Sequence, residues 1–138
     1  KLYQLGPYHI DVAISYSYLG LVYENKGEYD IAIEYREKSL KIILCKLRSD
    51  HLFIDLSYNN LGNIYRNKGE YDKSIEYFEK SLKIRLNKLG HDDISVSNSY
   101  NSLGIIYNNK EEYDIAMEYY EKSLKIRLNK LGPYHIDI

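Results

Sequence analysis

The sequence predicts an all-α fold, an α-solenoid built from antiparallel helix pairs. Three observations carry this. The chain of 138 residues repeats itself every 42 positions without an insertion. Within each repeat, apolar residues recur at spacings of three and four, the period of a helix and not of a strand. The patterned segments are separated by Lys-Gly and Leu-Gly steps, where a glycine can take the left-handed conformation that ends a helix.

The elements follow in chain order. Asn67 to Gly90 reads NKGEYDKSIEYFEKSLKIRLNKLG, and Asn109 to Gly132 reads NKEEYDIAMEYYEKSLKIRLNKLG, identical at 19 of 24 positions. NKGEYDIAIEYREKSLKIILCKLR precedes them, from Asn25 to Arg48. The other half repeats as YSYLGLVY, YNNLGNIY and YNSLGIIY. A first helix is predicted from about Ile10 to Asn25 and a second from about Glu28 to Lys46, each recurring twice more. Helix starts are expected at His9, Asp50–His51, Asp92–Asp93 and His135, where Asp caps well and acidic groups favour the positive end of the dipole. Gly27 and Gly69 end the first helices of two repeats, but Glu111 stands where the third glycine would be. There the turn is either reshaped or strained by about 1 kcal/mol. Gly20, Gly62 and Gly104 fall inside the first helices, where each costs about 1 kcal/mol relative to Ala. Three such glycines in one column imply a close helix crossing, with Ala32, Ser74 and Ala116 expected to face them. The repeat units are 5–46, 47–88 and 89–130, and 131–138 starts a further one, since LGPYHIDV at 5–12 returns as LGPYHIDI. The chain is thus a single array, about three repeats plus the start of a fourth, each pair burying a face on the next. It lacks an initial Met, so Lys1 is expected to open a fragment.

Composition narrows the function. With 44% apolar residues the chain is too hydrophobic for disorder. No stretch approaches 18 apolar residues, so no membrane span is expected. One Cys supports neither a disulfide framework nor a cysteine-rich zinc site and suits a reducing, cytoplasmic setting. Cys45 is expected as a half-buried thiol at the end of a second helix. Nineteen basic and 20 acidic groups give a net charge of -1 without a basic stripe, which argues against nucleic acid as partner. Twelve of the 17 tyrosines form four columns, 16/58/100, 23/65/107, 29/71/113 and 35/77/119, read as core and inter-helix positions. Tyr3, Tyr8, Tyr18, Tyr120 and Tyr134 remain, with Tyr18 on the first-helix face where it could touch a ligand. Six Glu residues stand four before a Lys on the second helices, from Glu34–Lys38 to Glu121–Lys125, and read as a solvated face of helical ion pairs. His9, His51 and His135 lie at least a full repeat apart, too far to share a metal, so no metal and no cofactor is expected. No phosphate-binding loop, His-Glu-x-x-His motif or nucleophile constellation is present, so the chain is read as a non-enzyme.

Tyr58, Leu61-Gly62, Tyr65, Gly69, Tyr71, Ser74, Phe78 and Ser81 resemble the tetratricopeptide repeat (TPR) pattern. The 42-residue period and the Leu-Gly-x-x-His junction are similar to the kinesin light chain type of that family. The resemblance implies a TPR superhelix whose first helices line a concave groove. Groove positions are then Ser17, Leu21, Glu24 and Asn25; Asn59, Asn63, Arg66 and Asn67; Asn98, Asn101, Ile105, Asn108 and Asn109. It further implies that Asn59 and Asn101 bond the backbone of a bound peptide, a place where Ser17 departs from the family Asn. An Asn amide both donates and accepts, which suits an extended peptide; the plainer alternative is that Asn is this chain's default polar residue. Only Arg66 is basic on that wall, opposite Glu24, whereas a carboxylate clamp needs several cations. The function expected is a scaffold that binds a peptide or helix of a partner protein in the groove. Its rivals are a structural spacer, self-associating end to end through uncapped repeats, or a regulatory array beside a catalytic domain elsewhere in a larger protein.

Overall fold

The computed structural model describes residues 9–48 and 51–132, which form six helices and no strand. They are α1 (Ile10–Asn25), α2 (Tyr29–Lys46), α3 (Leu52–Lys68), α4 (Tyr71–Leu89), α5 (Ile94–Asn109) and α6 (Tyr113–Leu131). Consecutive helices pack as pairs, α1 on α2, α3 on α4 and α5 on α6, and each pair packs on the next through α2–α3 and α4–α5. No described helix is long and apolar enough to cross a membrane. The expected start at His135 and the tyrosines 3, 8 and 134 lie outside the described residues, as do Asp50 and most of 131–138.

Local chemistry sets the helix ends. His9 and His51 cap α1 and α3: each Nδ1 accepts a hydrogen bond at 3.0 Å, from the N–H of Asp11 and of Phe53. Asp93 does the same for α5, accepting from Ser95 N–H at 2.8 Å. An imidazole can do this only with Nδ1 unprotonated. The turns between paired helices repeat one motif. Glu28, Glu70 and Glu112 each donate their N–H at 2.9 Å to the carbonyls of Tyr23, Tyr65 and Tyr107. The residue before each has a positive φ: 79° at Gly27, 86° at Gly69 and 65° at Glu111. The turn at Glu111 is therefore strained and not reshaped. Glu111→Gly is expected to stabilise the protein by about 1 kcal/mol, read as a rise in the urea midpoint at unchanged slope; an unchanged or lower midpoint would refute the strain.

The interior glycines mark a close crossing, and a second column faces them beside the expected small residues. A Cβ on Gly62 would lie 3.0 Å from the Phe78 ring, one on Gly104 2.9 Å from the Tyr120 ring, and one on Gly20 3.0 Å from Arg36 Cγ. The nearest partners are thus Arg36, Phe78 and Tyr120, one turn beyond the expected small residues. Ala32, Ser74 and Ala116 are buried beside them. Ser74 Oγ donates to the Gly62 carbonyl at 2.6 Å, capturing an acceptor within the crossing.

Three of the four tyrosine columns form a repeated ring cluster. Tyr35, Tyr77 and Tyr119 stack at 5.7 Å on Tyr23, Tyr65 and Tyr107, and tilt at 6.0 Å against Tyr16, Tyr58 and Tyr100. The fourth column is less uniform, since Tyr113 is 55% exposed. Lys38, Lys80 and Lys122 lie over these rings at 5.3–5.7 Å from their centroids. This corrects the expected helical ion pairs. None of the six Glu–Lys pairs closes among the described residues; in three of them, at Lys38, Lys80 and Lys122, the ring face attracts the ammonium instead. Two of the ion pairs that do form bridge successive helix pairs: Lys68 to Asp30 at 2.6 Å and Lys110 to Asp72 at 2.8 Å. Cys45 is exposed, not half-buried as expected.

Candidate functional site

All thirteen positions expected to line a groove lie on α1, α3 and α5. Leu21 and Ile105 are exposed apolar side chains, 43% and 39% accessible. Asn25, Asn67, Asn98, Asn108 and Asn109 are exposed, while Ser17, Glu24, Asn59, Asn63, Arg66 and Asn101 are half-buried. Several are already engaged. Ser17 Oγ shares a 2.8 Å hydrogen bond with Ser39 Oγ of α2, and Ser39 Oγ donates to the Ala13 carbonyl. Arg127 donates to Asn98 Oδ1. Glu24 pairs at 3.3 Å with Arg36 of its own helix pair and not with Arg66. Arg66 thus has no ion-pair partner among the described residues. The amides of Asn59, Asn63 and Asn101 likewise have no hydrogen-bond partner there. Half-buried amides with free donors and acceptors at equivalent places on α3 and α5 can take up a polar backbone laid across them.

Two features beyond this set were not singled out from the sequence. The first is a polar network at the seam of α3, α4 and α5. Arg85 Nε donates to both carboxylate oxygens of the buried Asp55, at 3.0 and 2.9 Å, and Ser81 Oγ donates to Asp55 as well. Arg85 Nη1 reaches the Ser95 carbonyl and Ser99 Oγ at 3.0 and 2.9 Å. The second is a crevice between α1, α2 and α3 that includes Ser17 and the 67% exposed Tyr18. The signal for both was a break in the repeat: Ala13 and Ile43 stand where the next repeat has Asp55 and Arg85.

Burial perturbs the ring clusters. It pushes the Tyr77 phenol up to about 12, reinforced first by Glu37 of the preceding pair. Tyr65, Tyr107 and Tyr119 are raised too, burial again the largest cause. The folded state therefore keeps protons that unfolded tyrosines lose near pH 10. Their contribution to stability is full below pH 10 and is lost as pH rises toward about 12, the value for Tyr77. A tyrosinate absorbance titration followed together with helical circular dichroism should show this. Complete ionisation near pH 10 without loss of helix would contradict it.

Among the described residues no three His, Cys, Asp or Glu side chains converge to hold a metal ion. Comparison with known proteins agrees with the helical stack. The tetratricopeptide repeat model matches residues 53–129, and a second model of the same repeat matches residues 13–43. No curated protein matches the chain. Among solved structures, BtubC (BKLC) from P. vanneervenii is 27% identical with a TM-score of 0.78, over 86% of this chain and 46% of its own. A Podosopora anserina kinesin light chain-like protein with nearly identical TPR-like repeats has a TM-score of 0.79 at 23% identity, over 91% of this chain and 59% of its own. The TPR domain of Arabidopsis FLU, at 18% identity and a TM-score of 0.72, shares the fold. This chain thus spans less than two thirds of the first two. With a family model over more than half its length and six helices stacked in consecutive pairs, the chain belongs to the tetratricopeptide repeat family.

Proposed function

We propose that this chain is a protein–protein interaction scaffold that holds an extended segment of a partner against α1, α3 and α5. TPR folds mediate protein–protein interaction in general and are typically non-catalytic. The observation that carries the finer reading is the pair Asn59 and Asn101, half-buried, 42 residues apart in sequence, with amides free of any partner among the described residues. A peptide backbone supplies the missing donors and acceptors. The unpaired Arg66 on the same helix as Asn59 favours a segment with an acidic group, and the exposed Leu21 and Ile105 favour apolar side chains beside it. We read the chain as acting without a catalytic centre of its own and in the cytoplasm, to which its single cysteine is suited.

Asn59→Ala with Asn101→Ala is expected to weaken partner capture about tenfold or more, the loss of two peptide-backbone contacts of roughly 1 kcal/mol each. Helicity should not change. Partners are captured from the native source by the wild-type protein, identified by mass spectrometry and titrated with both forms; full affinity in the double variant would sink the groove assignment. The exposed apolar face of α6, with Tyr113, Met117, Leu124 and Leu128, supports a second reading, assembly through the end of the stack. Sedimentation of the same two proteins at rising concentration separates the readings, since assembly would give a size that grows with concentration and ignores the Asn substitutions.

A further inference from the structure

The internal seams between helix pairs show, by their repeat, what each end of the stack lacks. At the second seam Ile75 and Phe78 of α4 form one buried cluster with Leu103 and Ile106 of α5, and Tyr71 and Leu82 pack against it. On α6 the counterparts of Ile75, Phe78, Tyr71 and Leu82 are Met117, Tyr120, Tyr113 and Leu124. All four are exposed. On α1 the counterparts of Leu103 and Ile106 are Leu19 and Val22. They are 44% and 54% exposed, whereas Leu103 and Ile106 are fully buried, as are Leu61 and Ile64 in the same columns. Among the described residues α1 has substantial contact only with α2, and α6 only with α5. Both halves of a seam are thus present in one molecule, each without its other half.

Charge marks the same pairing. Each seam lysine holds two carboxylates. Lys68 binds Glu70 of its own turn at 2.5 Å and Asp30 of the preceding pair, and Lys110 binds Glu112 at 3.1 Å and Asp72 of the preceding pair. Their counterpart Lys26 binds Glu28 at 3.0 Å and no second carboxylate among the described residues. Asp114, the counterpart of Asp30 and Asp72, has no ion-pair partner there. Arg85 crosses the second seam to the Ser95 carbonyl and Ser99 Oγ. Arg127 stands in its place on α6, and Asp11 and Ser15 stand in place of Ser95 and Ser99 on α1. Ends that meet in register therefore bring a guanidinium to a carboxylate and a hydroxyl.

We propose that the α6 face of one copy of this chain takes the α1 face of a second copy in the register of the internal seams, with Leu19 and Val22 against Met117, Tyr120 and Leu124, and Lys26 on Asp114. A second copy is the occupant because the matching apolar face, the lysine and the aspartate all lie on this chain, at the spacing its own seams use. The two faces differ, so the contact is head-to-tail and always leaves one α1 and one α6 face free. Copies then add in an open row. The contact gives the assembly reading its occupant and its register, rests on that reading, and leaves the groove unused.

Sedimentation velocity of the wild type is expected to show a size that grows with concentration up to about 1 mM, the range of a small interface. Val22→Lys places a charge on the exposed α1 face and Met117→Lys one on the exposed α6 face, where burial without a partner opposes contact. Each variant alone should associate at least about tenfold more weakly than the wild type and remain a monomer. Mixed, the first supplies an intact α6 and the second an intact α1, so a dimer and nothing larger is expected. Circular dichroism checks each fold, and Leu19→Lys with Leu124→Lys is a second pair that should behave alike. Adding Asp114→Lys to the first variant, or Lys26→Glu to the second, should weaken the mixed dimer about fivefold; adding both should restore it to within about twofold. A wild type that stays monomeric overturns the proposal. So does self-association of either folded single variant, which would mean a symmetric α6–α6 or α1–α1 contact. A charge swap that fails to restore the dimer overturns the register. If the wild type is monomeric while the Asn59→Ala/Asn101→Ala variant loses its partner, the interface is refuted and the groove stands. If copies assemble as described while that variant keeps its partner, the groove assignment is refuted and the interface stands.

Discussion

Asp55→Ala is expected to destabilise the protein by about 3–5 kcal/mol, the cost of leaving one member of a buried ion pair without the other. The side chains of Asp55 and Arg85 are only 10% and 13% exposed, so solvent does little to screen the orphaned guanidinium. Ser81 Oγ would also lose its acceptor. The repeat itself suggests how to repair the damage. Ala and Ile occupy these two positions in the first helix pair, as Ala13 and Ile43. Adding Arg85→Ile to Asp55→Ala should therefore recover most of the loss, to within about 1–2 kcal/mol of wild type, because a buried ion pair replaced by apolar residues is often nearly neutral. The remaining deficit is the unfilled space and the lost partners of Ser95 and Ser99. Urea unfolding of the wild type, both single variants and the double variant gives the coupling directly. If the double variant lost the sum of the two single losses, the pair would not act as a unit and the network would be misread.

Phe78→Ala comes second, with an expected loss of about 3–5 kcal/mol. Its ring is 1% exposed and lies against the glycine face of α3, where nothing else can fill the space. The same column supplies a control. Tyr120 packs on Gly104 in the same way but is 37% exposed, so Tyr120→Ala removes less buried surface and water can enter behind it. Its cost should be clearly smaller, about 1–2 kcal/mol on area grounds. Equal losses at 78 and 120, measured by thermal unfolding, would show that the glycine crossing and not burial of the ring decides the effect.

Most of the fold was legible because the repeat gave three readings of each position. A helix from Ile10 to Asn25 needs no tertiary information once the same pattern returns at 58–65 and 100–107. The capping histidines, the strain at Glu111 and the core role of the stacked tyrosines follow from local geometry in the same way. Legibility failed where a side chain had a choice between neighbours. Lys38 has Glu34 one turn away on its own helix, a pairing that sequence spacing predicts. It lies over Tyr16 and Tyr35 instead, rings that only the packing of α1 on α2 brings together. Glu24 similarly takes Arg36 within its pair in preference to Arg66. The Asp55–Arg85 network and the crevice were hidden for another reason. Attention to what repeats passes over positions that do not, and these two features arise where Ala13/Ile43 and Asp55/Arg85 differ.

The ion pairs at Lys68–Asp30 and Lys110–Asp72 lie across the two seams, each linking one helix pair to the next. Among the described residues every substantial helix contact is between neighbours in sequence, and the seams are the thinner contacts. Under tension such a stack has no clamp between distant parts, so the seams open before the pairs do. The two bridges then serve as latches on a spring. Their carboxylates are 84% and 89% exposed, which puts the latches within reach of dissolved ions. Stiffness along the array is thereby expected to fall modestly as ionic strength rises, while the helices themselves stay intact.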